Sequence, residues 1–352
     1  MNLLRYSFGR NREAPAWRPV NISVSPTCRC NFSCDMCLTH SAKKSNPFGQ
    51  KPGRDMDFAL FSRILDRYRN ALSVDIIGNG EPLLNKDLFR MIEHASRVMK
   101  MHVFSGSNGV LVGEFAEQIV NSPLKEFFIS MNGHTPEEFN RMTGMPPEMF
   151  GVIRANTVEL VRRRNERRSG VRILLNIIVD KKNYEYLEEM IRFAEDLGVD
   201  KVFFANFLAS WAPGFTAEER CLFSDDLEAL QVLARVNSLR SRVEVVLPAL
   251  PERTMTGKYC LAPFYNLSVD GEGNVGCCSC QLLDLSGNGK FDDGDAWNNA
   301  HFREMRRRLL SPEIPLLEPC GWCFDNTRRA RSLAKPDPLI CLKRLFRRGE
   351  AA

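Results

Sequence analysis

Long apolar runs are missing from this 352-residue chain. No uninterrupted stretch approaches the ~20 residues that a membrane-spanning helix needs. The start, Met1 to Trp17, is polar and basic without an apolar centre, so it does not read as a secretory signal. Charge of one sign is also scarce. With 48 Lys and Arg against 43 Asp and Glu, the net charge of +5 gives no strong argument for nucleic acid. Cysteine is nearly absent from the long middle section, where Cys221 alone falls between Cys37 and Cys260.

Where cysteine is present it is concentrated. Four of the twelve lie between Cys28 and Cys37, and seven between Cys260 and Cys341. Without a secretory signal this argues against a disulfide scaffold and for metal binding in a reducing cytoplasm, with one group of ligands near each end. The remaining composition, 44% hydrophobic and 26% charged, is that of an ordinary globular protein. Its length allows one large α/β domain and a smaller one.

From about residue 20 to 206, short strand-like runs rich in Val, Ile and Phe alternate with stretches of helical apolar spacing. The strand candidates are 21–25, 74–77, 102–105, 126–131, 172–179 and 201–206. Helices are expected over 58–68, 87–99, 111–120, 152–164 and 184–197, the last followed by Gly198 as a helix C-terminus favours. Six strands separated by helices predict a parallel sheet, because each crossover returns the chain to the same end. Such sheets bind ligands on the loops after the C-terminal strand ends. Residues 211–255 read as a connector holding a helix and the strand-like 243–247. A cysteine-rich region of about 70 residues follows from near Lys258, then a basic tail, 331–352.

Just after the first strand stands Cys30-Asn-Phe-Ser-Cys34-Asp-Met-Cys37. Three thiolates are one fewer than a closed [4Fe–4S] cluster takes, which leaves one iron open to a small molecule. A zinc knuckle or unrelated buried cysteines is the alternative. One β/α unit later comes Gly78-Asn-Gly80-Glu81-Pro82-Leu83. Glycines let a backbone approach a ligand closely, and a carboxylate suits an ammonium.

The C-x3-C-x2-C run resembles the signature of radical S-adenosylmethionine (SAM) enzymes, and Gly78–Leu83 resembles their GGEP loop, with Asn79 a departure. That resemblance implies a partial (β/α)6 TIM-like barrel over residues 20–210, behind an extension of residues 1–19. It also implies a [4Fe–4S] cluster held by Cys30, Cys34 and Cys37, whose open iron chelates SAM. Gly78, Gly80, Glu81 and Pro82 would receive the SAM amino group, and Phe32 would pack near the adenine. Ser105-Gly-Ser-Asn108-Gly resembles the family's T-N-G turn. Ser130-Met-Asn132-Gly133 resembles its S-x-D-G segment, with Asn132 for Asp. Asn108, Ser130, Arg141 and Asn176 are carried over as SAM contacts on that basis. Cys28 reads as a buried bystander.

The C-terminal region resembles a SPASM/twitch domain. Cys260, twelve residues, Gly273, four residues and Cys278 fit its opening, and Cys320-Gly-Trp-Cys323 supplies a C-x2-C pair. The resemblance implies an auxiliary [4Fe–4S] cluster on Cys260, Cys278, Cys320 and Cys323 within residues 256–330. Structural zinc is the alternative, and the roles of Cys277, Cys280 and Cys341 stay open. The expected activity is reductive cleavage of SAM and hydrogen abstraction from a small molecule or a peptide, with flavodoxin or ferredoxin as electron donor. The few residues before 20 leave no room for a separate leader-peptide domain. A non-catalytic iron–sulfur electron carrier or partner-binding protein is the rival reading.

Overall fold

The strands form where apolar side chains alternate with polar ones. In the computed structural model, which describes residues 13–41, 54–207, 212, 214–253, 258, 260–278, 288–317, 320 and 323, nine strands make one sheet. They are β1 (Asn21–Val24), β2 (Ser73–Ile76), β3 (His102–Ser107), β4 (Glu126–Ser130), β5 (Arg172–Val179), β6 (Lys201–Asn206), β7 (Glu244–Val246), β8 (Asn266–Val269) and β9 (Val275–Gly276). The spatial order is β7-β6-β5-β4-β3-β2-β1-β8-β9, parallel throughout except for the antiparallel β8–β9 pair. Among the described residues β7 and β9 do not pair with each other, so the sheet is open.

Helices cover one face. The main crossovers are α1 (Phe58–Arg67), α2 (Leu88–Glu93), α3 (Val112–Asn121), α4 (Pro136–Thr143), α5 (Glu148–Glu166) and α6 (Leu187–Leu197). In α1, Asp57 caps the first turn by accepting from Leu60 N–H, and Phe61, Ile64 and Leu65 are buried. Their apolar stripe meets Ile22, Val24, Val74, Ile76, Val103, Ile129, Ile173 and Val202 in one continuous core. Helix α6 ends at Gly198, whose φ of 72° is left-handed, as its place after the apolar stripe predicts. No helix of the described residues is long and apolar enough to cross a membrane.

The sheet is larger than the six strands expected from the sequence. The run expected to close a connector, 243–247, contributes β7, which pairs in parallel with β6. The cysteine-rich region begins inside the sheet: β8 lies parallel to β1, with Asn21 opposite Asn266 and Val24 opposite Val269. An unpaired β1 would leave a row of backbone donors and acceptors open, and β8 satisfies it. Two short helices, α7 (Ala217–Arg220) and α8 (Leu227–Asn237), fill the connector. α9 (Ala262–Tyr265) precedes β8, and α10 (Ala300–Leu310) closes the described C-terminal part. The basic tail, Cys280 and Cys341 lie outside the described residues.

The uncovered side of the sheet is polar and organised in two parts. At the strands' N-terminal ends, Arg172 bridges Glu126 at 3.0 Å and Glu244 at 2.6 Å, and Lys201 reaches Glu244 at 3.3 Å. Each of the four is the first residue of its strand. Towards β1, Asp75 accepts from Asn21 Nδ2 at 2.7 Å and Ser23 Oγ at 3.2 Å, while Asn21 also donates to Asn266.

One buried arginine ties both ends of the chain together. Arg306, on α10, donates to the carbonyls of Pro263, Trp297 and Glu13 and to Asn298 Oδ1. Trp297 in turn donates to the Trp17 carbonyl, and Trp17 to that of Phe264. Arg306→Met would strand these acceptors in the interior and is expected to lower unfolding free energy by about 3–5 kcal/mol. Urea denaturation checks this, and a loss under ~1 kcal/mol would reduce the arginine to space filling.

Candidate active site

The three cysteines follow β1 on a loop held from several sides. Asn85 donates to the Pro26 carbonyl and Met56 N–H does the same. Arg29 pairs with Asp55 at 2.6 Å and donates to the Leu84 carbonyl. Asp35 N–H donates to the Thr143 carbonyl, which docks the loop on the end of α4. Cys37 N–H donates to the Cys34 carbonyl, turning the chain between two of the sulfurs.

Gly78 and Gly80 are there because two loops touch. A Cβ on Gly80 would lie 2.4 Å from the Arg29 carbonyl oxygen and 2.5 Å from that of Thr27. On Gly78 it would lie 2.2 Å from Ser25 Oγ. In that contact Glu81 N–H donates to the Arg29 carbonyl at 2.8 Å. Thr39 Oγ1 and His40 Nε2 reach the Asn79 carbonyl at 3.0 and 2.8 Å, and Asn79 N–H donates to Ser25 Oγ. The Gly78–Glu81 loop therefore clasps the cysteine loop from beneath.

Glu81 links two of the loops. Its side chain is buried, with Oε1 accepting from Leu83 N–H at 3.1 Å and Oε2 from Asn108 N–H at 2.7 Å. It caps the short turn that Pro82 opens and joins the β2 loop to the β3 loop. Both oxygens are engaged by backbone, so the carboxylate is a brace between loops. Asn108, thus held, points its carboxamide at Asn31 and Cys30.

The other carried-over residues fall in two places. Ser130 ends β4 and stands opposite Asn176 of β5 in register, both half-buried on the uncovered side of the sheet. Arg141 lies on α4 and pairs with the fully buried Asp180 at 3.1 Å; Glu138 is 4.0 Å away. Asp180 also takes Arg220, so Arg141 belongs to an ion-pair group that fastens α4 to the loop after β5. The Phe32 ring is buried, edge-on to Phe139 at 6.4 Å. Asn132 adopts a left-handed φ of 52°, which Asn tolerates better than most residues. Thr39, His40, Asn31, Asp180 and Arg220 carry no motif, and sequence reasoning misses them.

The donor set fits an iron–sulfur cluster. Burial pushes Cys34 up to about 12, helped by its neighbours Cys37 and Cys30, and raises Cys30 as well. The bare Cys30 and Cys34 thiols hold their protons at neutral pH, so a metal must displace them. N–H groups already point at the sulfurs: Phe32 N–H to Cys30 and His40 N–H to Cys37, each at 3.4 Å. Such donors suit a thiolate that bears cluster charge.

In the C-terminal region the structure brings Cys260, Cys278 and Cys320 each within electrostatic reach of Cys277. Cys277 is fully buried against Met305, and its thiol is raised first by a hydrogen bond with Cys278 and then by burial. Cys323 N–H donates to the Cys320 carbonyl. A narrow apolar crevice, with room for about 10 Å³, is lined by Cys260, Cys320, Pro263, Met305, Leu309 and Leu317. Among the described residues no three His, Cys, Asp or Glu side chains converge on the site of a single ion. Cys28 is half-buried, and burial lifts its thiol to about 11.

Residues 24–194 match the family model of the radical SAM superfamily. This stretch is a radical SAM domain. Its superfamily implies SAM and a SAM-binding [4Fe–4S] cluster, and the cysteine loop, the Gly78–Glu81 clasp and the β4–β5 register all fall inside it. Among curated proteins the chain is 28% identical over 187 residues to a probable GTP 3′,8-cyclase of Metallosphaera sedula, covering 53% of this chain and 55% of that protein. It is 26% identical over 183 residues to pre-heme d1 synthase of Dinoroseobacter shibae, covering 52% and 42%. The chain thus spans about half the length of the curated relatives it matches. Among solved structures, Streptococcus suis SuiB bound to S-adenosylmethionine aligns with a TM-score of 0.61 at 17% identity, over 82% of this chain and 68% of that one. Native anSMEcpe with bound AdoMet aligns with a TM-score of 0.60 at 15% identity, over 94% and 96%. Identities this low establish a shared fold.

The Glu81 brace has a pH signature. Burial raises its carboxyl above the ordinary 4.5, against the lowering effect of the Asn108 and Leu83 N–H donors. An acid raised on folding contributes stability that is complete below its unfolded value and is lost as pH rises through its folded value. The unfolding free energy of the wild type relative to Glu81→Gln should therefore fall as pH climbs from below 4.5 through that raised value, then level off. Urea titrations of both proteins across the acid range measure it; a difference independent of pH would refute the assignment.

Proposed function

We propose that this chain is a radical SAM enzyme that cleaves SAM reductively and uses the product to take a hydrogen atom from its substrate. The observation that carries the reading is the loop of three half-buried cysteines with N–H groups aimed at two of the sulfurs, clasped by Gly78–Glu81 at the C-terminal end of a parallel sheet. When bound, the cluster and SAM supply a 5′-deoxyadenosyl radical, chemistry that belongs to the cofactor. The protein's own work is positional. Cys30, Cys34 and Cys37 hold the cluster through three irons and leave the fourth for SAM. Gly78 and Gly80 remove the side chains that would keep the two loops apart. Ser130 and Asn176 present polar groups side by side on the sheet's uncovered face, suited to hydroxyls of SAM. Glu81 fixes the β2 and β3 loops relative to each other.

The second half of the reading is an auxiliary [4Fe–4S] cluster on Cys260, Cys278, Cys320 and Cys323. It is supported by the placing of the first three thiols within electrostatic reach of Cys277 and by the backbone link between the last two. A cluster with four protein ligands is closed and suits electron relay, which makes the net reaction an oxidation, crosslink or rearrangement of a small molecule or a peptide side chain. A flavodoxin or ferredoxin supplies the first electron. Work in the cytoplasm follows from the thiol chemistry.

Anaerobically reconstituted protein with a strong reductant should release 5′-deoxyadenosine from SAM even without substrate. The Cys30→Ala, Cys34→Ala, Cys37→Ala triple variant should release none, and release that persists in it would sink the reading. Ligand counting gives about eight irons per wild-type chain and about four in the triple variant. A triple variant that is colourless and holds about one zinc would replace the auxiliary cluster with a structural zinc site.

A further inference from the structure

Asn108 lies where the resemblance to relatives would have it meet SAM, yet every polar atom of its side chain is already directed elsewhere. Its Oδ1 accepts from Val110 N–H at 3.1 Å. That bond fixes which way round the carboxamide sits, because the amide nitrogen has no lone pair to accept with. The Nδ2 group must then face the cysteine loop, where it donates to Asn31 Oδ1 at 2.6 Å and to Cys30 Sγ at 3.9 Å. The backbone of Asn108 is pinned as well, by its N–H to Glu81 Oε2 at 2.7 Å. Three partners surround the side chain, and the backbone bond to Glu81 adds a fourth anchor.

Two donors therefore converge on Cys30 from different elements: the Phe32 N–H within the cysteine loop and the Asn108 carboxamide from the β3 loop. For Cys34 no comparable side-chain donor is present among the described contacts. We infer that Asn108 is a positioning residue for the cluster, donating an N–H to the Cys30 sulfur and setting the ease with which the cluster is reduced. The inference rests on the radical SAM reading, because it needs a cluster on Cys30. Its physical basis is charge. One-electron reduction, with the electron taken from an added reductant and no bond broken, puts more negative charge on the thiolate sulfurs. A hydrogen bond to sulfur is then stronger in the reduced state and raises the potential. Glu81 takes part at one remove, because it holds the Asn108 backbone and so aims the amide.

The test compares wild type with Asn108→Leu, which removes the donor, and Asn108→Asp, which keeps the Val110 acceptor but replaces the donor by a carboxylate oxygen. Each is reconstituted anaerobically, its iron content measured, and its reduction followed by EPR in a redox titration without SAM. The signal of this cluster is the one missing from the Cys30, Cys34, Cys37 triple Ala variant. With iron content kept, both substitutions should disfavour reduction about tenfold, a fall of about 59 mV for one electron. An unchanged potential in fully loaded variants overturns the inference and leaves the radical SAM reading standing. Variants that take up no cluster would make Asn108 a brace of the loop and overturn it too. A wild type that takes up no cluster at Cys30, Cys34 and Cys37 defeats the inference and the reading together.

Discussion

The contact on which the site depends is the backbone-to-backbone approach of Gly80 to the Thr27 and Arg29 carbonyls. It brings the loop after β2 close enough for Glu81 N–H to bond to Arg29, and from there the rest follows in sequence. Glu81 can then reach Asn108, Asn108 can reach Cys30, and Thr39 and His40 can close over the Asn79 carbonyl. A methyl group at position 80 would separate the loops by more than a hydrogen bond can span. Three loops from three strands are assembled by the absence of two side chains.

The molecule divides its tasks along the strand axis. At the N-terminal strand ends, Glu126, Arg172, Lys201 and Glu244 form a lateral chain of charges across four neighbouring strands. Partial exposure makes each pair worth little alone, but linked charges also fix strand register. At the C-terminal ends Ser130 and Asn176 stand half-buried and in register. Between the two lies the buried Asp75, whose carboxyl burial raises, with Asn21 and Ser23 bonded to it.

Much of this was readable from residue order. Apolar alternation located β1 to β6 to within a residue or two at most ends, and the three-cysteine run marked the site loop. What escaped did so for physical reasons. β8 is four residues long and half polar, Asn-Leu-Ser-Val, and its partner β1 is about 245 positions away, a pairing no local pattern carries. That the Glu81 carboxylate also braces two loops shows only in its burial and its two backbone donors. The ion pairs of Arg141 with Asp180, and of Asp180 with Arg220, join segments far apart in the sequence and carry no local pattern. Ser130 and Asn176 lie on different strands far apart in the sequence, and the β4–β5 register makes them neighbours.

The insertion of β8 beside β1 also governs what can be cut away. The cysteine loop hangs from β1, and the C-terminal cysteine group flanks β8 on both sides, through Cys260 before it and Cys278 after it. Trimming the chain ahead of β8 would not yield a tidy catalytic half. It would bare the edge of the strand that carries the first cysteines, an open template for pairing with other chains. The two thiol groups are thus tied through one strand pair, and moving the first onto another scaffold would mean covering the β1 edge anew.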